Sequence, residues 1–345
     1  MGARTPVAAL LVGVVILAAG LQLAGYDAPA ALGALWNGAF GSWYAFTSST
    51  LVRSVPLIII GLGIALSFRA GVFNIGGEGQ FYAGAMAATW VGLHAGGLPA
   101  TLAIPATLIA AGAAGALWIV VPVVLKTRFG VLEVISTLLL NFVAESLVSL
   151  MVQGPLQESQ HIYPQSDPIA ESARLPLLPG TRLHLGIALA LSSAVALWYV
   201  FNRTLWGFRL RAVGTGPKAA AMSGRIDVHG MMAAALLLSG MLAGMAGGVE
   251  VGGVSYALYQ NLSPGYGFTA IAVALLARLN PLGVVAAGIL FGALEAGAGA
   301  MQRDAGVPAV AVYVVEAVVI VVVLLADTFG RRTLPVTGRS AVGGA

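Results

Sequence analysis

Ten residues, Gly71-Val72-Phe73-Asn74-Ile75-Gly76-Gly77-Glu78-Gly79-Gln80, set one carboxylate, two carboxamides and four glycines between two hydrophobic runs. Backbone that leaves regular structure at membrane depth is costly for every unpaired group, so such a stretch must be buried in protein or border a wet cavity. Asn74 and Gln80 each carry donors and an acceptor, and an ionised Glu78 accepts only. That set suits a neutral polyhydroxyl or heteroaryl solute. The same residues also suit a re-entrant turn, with Glu78 capping the N-terminus of the helix that follows, where the dipole favours a carboxylate, or pairing near Arg69. The two uses are compatible.

Five further polar groups lie inside apolar runs: Asn141 and Glu145, four residues apart on one helix face, then Glu250, Glu295 and Glu316. Ionisable groups at depth face a bundle interior or a cavity, and for these five helix–helix hydrogen bonding is preferred over solute contact. No basic partners alternate with them as a proton relay would require. His94, His161, His184 and His229 are far apart and lack metal-ligand spacing, and there is no cysteine. A Gly-x-x-x-x-Gly-Lys-Ser/Thr phosphate cradle and a Gly-x-Ser-x-Gly elbow are both missing. If the chain moves a solute uphill, the energy comes from an ion gradient or from another subunit.

The elements that position these groups are membrane helices. Of 345 residues, 59% are hydrophobic and only 9% charged, against about 25% charged in ordinary soluble domains. Apolar runs of roughly twenty residues suit helices and exclude a barrel, whose strands alternate over roughly ten residues. The expectation is an all-α polytopic membrane protein, one transmembrane domain over 1–345. Ten spans are expected near 6–25, 51–68, 78–95, 99–125, 134–153, 184–201, 229–252, 266–279, 281–300 and 308–327. The fourth is long enough to tilt or break at Pro105. Residues 30–50, with Trp36, Trp43, Tyr44 and Phe46, read as an interfacial or re-entrant segment. Glycine-rich breaks at Gly71–Gly79 and Gly247–Gly253 hint at an inverted pair of broken helices.

Placing the N-terminus inside puts thirteen basic residues in cytoplasmic segments and leaves Arg53, Arg174, Arg182 and Arg303 outside. That bias puts both termini in the cytoplasm. The net charge of +4 therefore reads as topology, not as nucleic-acid binding. Residues 154–183, with five prolines, form an external segment, either a solvated connection or a docking surface for an external protein. Residues 202–228 are cytoplasmic. Within them Gly214–Pro217 makes a turn, Pro217 opens a short helix, Lys218, Ala219 and Ala220 continue it, and Gly224 ends it. By itself this is a docking helix for a cytoplasmic partner or a basic loop on anionic lipid.

Five blocks in register carry a resemblance: Ala70–Gln80, Glu133–Phe142, Leu175-Pro176-Leu177-Leu178, Ala212–Ile226 and Phe291–Gly297. Together they resemble, over residues 50–330, the permease subunits of bacterial ABC importers for nucleosides and simple sugars, and within these the larger permease of the nucleoside branch. The resemblance implies an inner-membrane importer in which this chain pairs with a second, homologous permease, usually a different one. A cytoplasmic ABC ATPase would bind ATP and magnesium, leaving no cofactor in this chain. An external binding protein or lipoprotein would deliver solute. The resemblance also makes Gly216, Pro217, Lys218, Ala219, Ala220 and Gly224 the segment that couples to the ATPase. Asn74, Glu78, Gln80 and Asn141 are the expected lining of the substrate pathway. Nucleosides are preferred over a ribose-like sugar through the resemblance alone. The rival readings are an ion-coupled secondary transporter, an intramembrane enzyme built on Glu78 and His94, and a membrane scaffold.

Overall fold

The computed structural model describes residues 4–308 together with Val314 and Ala317. The expected tenth span, Glu316 and the basic residues after it lie outside the described residues. Twelve helices follow in order: α1 Arg4–Leu23, α2 Ala28–Phe40, α3 Trp43–Arg69, α4 Gly77–Leu93, α5 Ala100–Phe129, α6 Glu133–Val152, α7 Gly186–Arg203, α8 Leu205–Thr215, α9 Pro217–Met222, α10 Val228–Ser255, α11 Tyr266–Leu276 and α12 Pro281–Ala305. Two isolated bridges, Gln165 with Tyr259 and Leu177 with His184, are the extended pairings found among the described residues. The chain divides into two compact units, Met1–Gly38 with Gly297–Ala345, and Ala39–Ala296.

Six of these helices, α3, α5, α6, α7, α10 and α12, are long and apolar enough to cross a membrane. They coincide with six of the ten expected spans. Two of the others are shorter than the hydropathy suggests. The 17 residues of α4 and 11 of α11 extend about 25 and 16 Å, less than the hydrocarbon thickness of about 30 Å. Both are half-helices that start inside the protein. Residues 30–50 form the end of α2 and the first two turns of α3, with a π turn at Phe46–Thr50. Trp36, Trp43 and Tyr44 are exposed there. α5 stays helical through Pro105, and its regular pattern is interrupted at Ile119.

The larger unit is built around α3. Every residue from Ser54 to Ser67 is buried, as an all-round apolar helix must be when neighbours surround it. α10 packs on α3, α4 and α5, and α11 packs on α3 and α4. Small residues let these backbones approach: Gly84 and Gly115 lie against Gly240 and Gly244 of α10. The glycines at 247–253 serve the same packing, Gly247 against Phe81 and Gly248 against Ala111, so they do not interrupt α10. Its true break comes later, at 256–265, after a second π turn at Val251–Ser255.

Residues 154–183 are partly docked. Ile169, Ala173, Leu175 and Leu183 are buried. Ser166, Ile169 and Leu175 donate backbone N–H groups to Leu258, Tyr256 and Gly252, and Ala170 donates to Gly92. Towards solvent, Ser159 donates to Asp167, whose carboxyl that bond holds below its ordinary range.

Candidate solute pathway and coupling segment

The first break is held by side chains in place of a backbone ladder. α3 ends at Arg69, Gly71 takes φ +76, and residues 72–76 lead to the start of α4 without regular secondary structure. Several of the freed backbone groups then find side-chain partners. Phe73 N–H donates to Glu133 Oε1 at 3.2 Å, Ile75 N–H to Thr137 Oγ1 at 3.3 Å, and Gly79 N–H to Asn141 Oδ1 at 2.8 Å. Asn141 Nδ2 donates back to the Ile75 carbonyl at 3.0 Å. Lys126 closes on Glu133 at 2.6 Å. Glu133, Thr137 and Asn141 recur every four residues along α6, so one polar stripe replaces a neighbouring strand.

Asn74 and Gln80 bond one another. Asn74 Nδ2 donates to Gln80 Oε1 and Gln80 Nε2 donates to Asn74 Oδ1, both at 2.9 Å. Asn74 also donates to Ser239 Oγ at 2.9 Å and accepts from Gly76 N–H. Both amides are buried. Ser239 lies eleven residues into α10, about 16 Å along it, so the break sits near the middle of that helix.

Glu78 does something the sequence does not announce. Its Oε2 accepts from the N–H of Gly267 at 2.6 Å, across 189 residues. It therefore serves the first turn of α11, in place of the expected cap on its own helix. Ser263 completes that turn by accepting from Gly265 and Tyr266 at 3.1 and 2.9 Å. A β-carbon at Gly267 would overlap the Glu78 backbone, which is why glycine stands there. Two half-helix N-termini thus meet at one carboxylate, a favourable place for negative charge. The four expected pathway residues are brought together, but each is turned to protein partners.

The remaining intramembrane carboxylates separate. Glu250 is buried, and Glu295 faces Arg53 at 3.9 Å. Glu145 is exposed. It lines a cleft of about 360 Å³ with Tyr82, Ser149, Gln260 and Asn261 among its walls. Among the described residues no group of three or more His, Cys, Asp or Glu is placed to hold a metal.

On the other side, Thr204 caps α8 by accepting from Gly207 N–H, and α9 follows after Gly216, with Pro217 at its first turn. Lys218 and Ala219 are exposed, Ala220 is buried, and Gly224 takes φ +65. Met222 is 86% exposed. The foot of α8 is seated on the first break. A β-carbon at Gly214 would overlap the Arg69 carbonyl, and Gly71 meets Gly214 Cα. Leu210 packs in one cluster with Leu66, Ala70, Val72 and Phe201. The Arg69 guanidinium lies 4.5 Å from the Phe201 ring centroid, and Arg211 donates to the Phe201 carbonyl.

The family described as branched-chain amino acid transport system / permease component matches residues 46–324, which takes in both half-helices, the polar stripe and α9. The chain belongs to that family. This permease is a multi-pass membrane protein, similar over nearly its whole length to curated relatives. It is 40% identical to the guanosine ABC transporter permease protein NupP of Bacillus subtilis, covering 92% of each chain. To the glucose ABC transporter permease protein TsgB13 of Haloferax volcanii it is 36% identical, over 95% of this permease and 88% of that one. The guanosine ABC transporter permease protein NupQ, also of Bacillus subtilis, is 29% identical over 71% of this permease and 78% of its own length. No solved structure matches.

Sequence reasoning missed five partners of the break. Thr137 and Glu133 carried a usable signal in their four-residue spacing with Asn141. Ser239, Gly267 and Gly214 carried none, since a lone serine or glycine in a small-residue helix looks like packing.

Proposed function

We propose that this chain is the translocating permease subunit of an ATP-driven importer for nucleosides, with ten spans and both termini in the cytoplasm. The observation that carries the transport mechanism is the seat of α8 on the break. α9 projects an exposed apolar tip, Met222, from a segment whose Gly214 touches Arg69 and Gly71. A cytoplasmic ATPase that holds Pro217–Gly224 and closes on ATP would move the foot of α3 and the start of the 72–76 segment together. ATP and magnesium belong to that partner. Asn74, Gln80 and Asn141 hold the wall of the pathway from behind, and Glu78 ties its two half-helices.

Nucleosides are favoured by the guanosine permeases NupP and NupQ, and the two occurring in one bacterium support a second, different permease as partner. An external receptor would meet the exposed part of 154–183. A sugar is the second reading, favoured by TsgB13; relatives with such different solutes mean the family description does not choose the cargo. The test is uptake into vesicles holding this chain, its partner permease, the ATPase and the receptor. Guanosine accumulation that requires ATP, and that glucose does not compete away, is expected. Accumulation by this chain alone under a proton or sodium gradient would overturn the reading.

A further inference from the structure

The polar stripe of α6 does not stop at Asn141. Residues four apart advance 400° around a helix, about 40° beyond a full turn. Glu133, Thr137 and Asn141 face the break, and continuing the same step carries Glu145 and Ser149 off it and into the neighbouring cleft. Glu145 lies seven residues before the end of α6 at Val152, about 10 Å below it. It is exposed and has no hydrogen-bond or ion-pair partner among the described residues. Around it on α6, Leu138, Leu139, Phe142, Val143 and Leu150 are exposed and apolar. An unpaired carboxylate at that depth is too costly to face lipid, so this part of α6 borders water or a polar ligand.

The opposite wall supports a ligand. It comes from the second break, where Gln260 Nε2 donates to Ser149 Oγ at 2.6 Å and Asn261 takes φ 57, a conformation asparagine tolerates. Tyr82 is one turn beyond Glu78 on α4. The cleft is therefore built from α4, α6 and the second break. Its volume, about 360 Å³, falls within the range of roughly 300–1,000 Å³ for small-molecule sites. A carboxylate offers only acceptors, two oxygens side by side, which matches two adjacent hydroxyl donors. The Gln260 and Asn261 amides offer both donors and acceptors to a ring edge.

We propose that this cleft is the contact site for the passing solute, with Glu145 receiving the vicinal hydroxyls of a ribosyl group and Gln260 reading the ring attached to it. The proposal rests on the nucleoside importer reading and deepens it. The test uses the complete importer with its receptor unchanged and compares uptake of guanosine with 2′-deoxyguanosine. Because the receptor is common to all variants, a shift in the ratio reports on this chain. E145Q, isosteric and at an exposed position, should reduce the preference for guanosine about tenfold, the scale of one charge-assisted hydrogen bond. Gln260→Leu should slow both solutes and keep the ratio.

Co-purification of each variant with its partners controls for assembly. An unchanged ratio in E145Q, whether both rates hold or both fall, would overturn the assignment, and loss of assembly would place Glu145 at an interface between permeases. If the wild-type importer moves ribose and not nucleosides, the nucleoside reading fails. The cleft is then judged by the same ratio with ribose and 2-deoxyribose.

Discussion

Asn74 and Gln80 show how an amide in a membrane helix bundle is spent. Their four polar ends are matched to each other, to Ser239 and to Gly76, so they have little left to offer a solute. Removing one partner from a buried pair strands the other, at about 1–3 kcal/mol. Asn74→Ala should therefore cost about 3 kcal/mol, because it also deserts Ser239 and Gly76. Gln80→Ala should cost about 2 kcal/mol, since it deserts Asn74 alone. The double variant should fall short of the sum by about 1 kcal/mol, as contacting residues do. Denaturant unfolding in detergent measures the cycle; strict additivity would mean that the reciprocal pair is not formed. The presence of this pair was legible as polar residues flanking a glycine run. Its closure on itself was not, because one sequence gives residue types and no rotamers.

Among elements, α3, α6, α7 and α12 were readable as spans because each is a long apolar run without competing signals. The two shorter helices, α4 and α11, were legible in position at 78–95 and 266–279 but not in what anchors them. α11 has the composition of a span, yet it begins where Ser263 and Glu78 satisfy its first N–H groups, a tertiary event without local signature. α8 and α9 were legible through Pro217 and Gly224, but their seat on α3 was hidden in the pairing of two distant glycines. That seat makes a sharp prediction. Gly214→Val places side-chain atoms where the Arg69 carbonyl lies, so it should break the link between α9 and the break. ATP hydrolysis by the assembled importer should persist while guanosine uptake drops at least about tenfold. Thr215→Ala, one residue on and exposed, should leave both unchanged. Equal loss of hydrolysis and uptake in Gly214→Val would show that the contact serves assembly instead.

Across the whole molecule, the proposed orientation rests on charge. The chain lacks cysteine, so a single introduced thiol reports its side without background. A cysteine replacing Glu158 should react with a membrane-impermeant maleimide added to intact cells, and one replacing Lys218 only after the membrane is opened. The reverse pattern would invert the topology and move α9 out of reach of any cytoplasmic motor. The two-unit division had no sequence signal: Leu21 and Ala31 share a buried cluster with Met301 and Val307, a pairing composition does not announce.

The winding of one polar stripe along α6 has a consequence for how such proteins change cargo. Its lower residues maintain the scaffold and its upper residues greet whatever travels through. Retuning of preference can therefore be confined to Glu145, Ser149 and the facing Gln260, leaving the architecture undisturbed. A library randomised at those three positions should yield many well-folded transporters with altered appetites, whereas one randomised at Glu133, Thr137 and Asn141 should yield mostly misassembled chains.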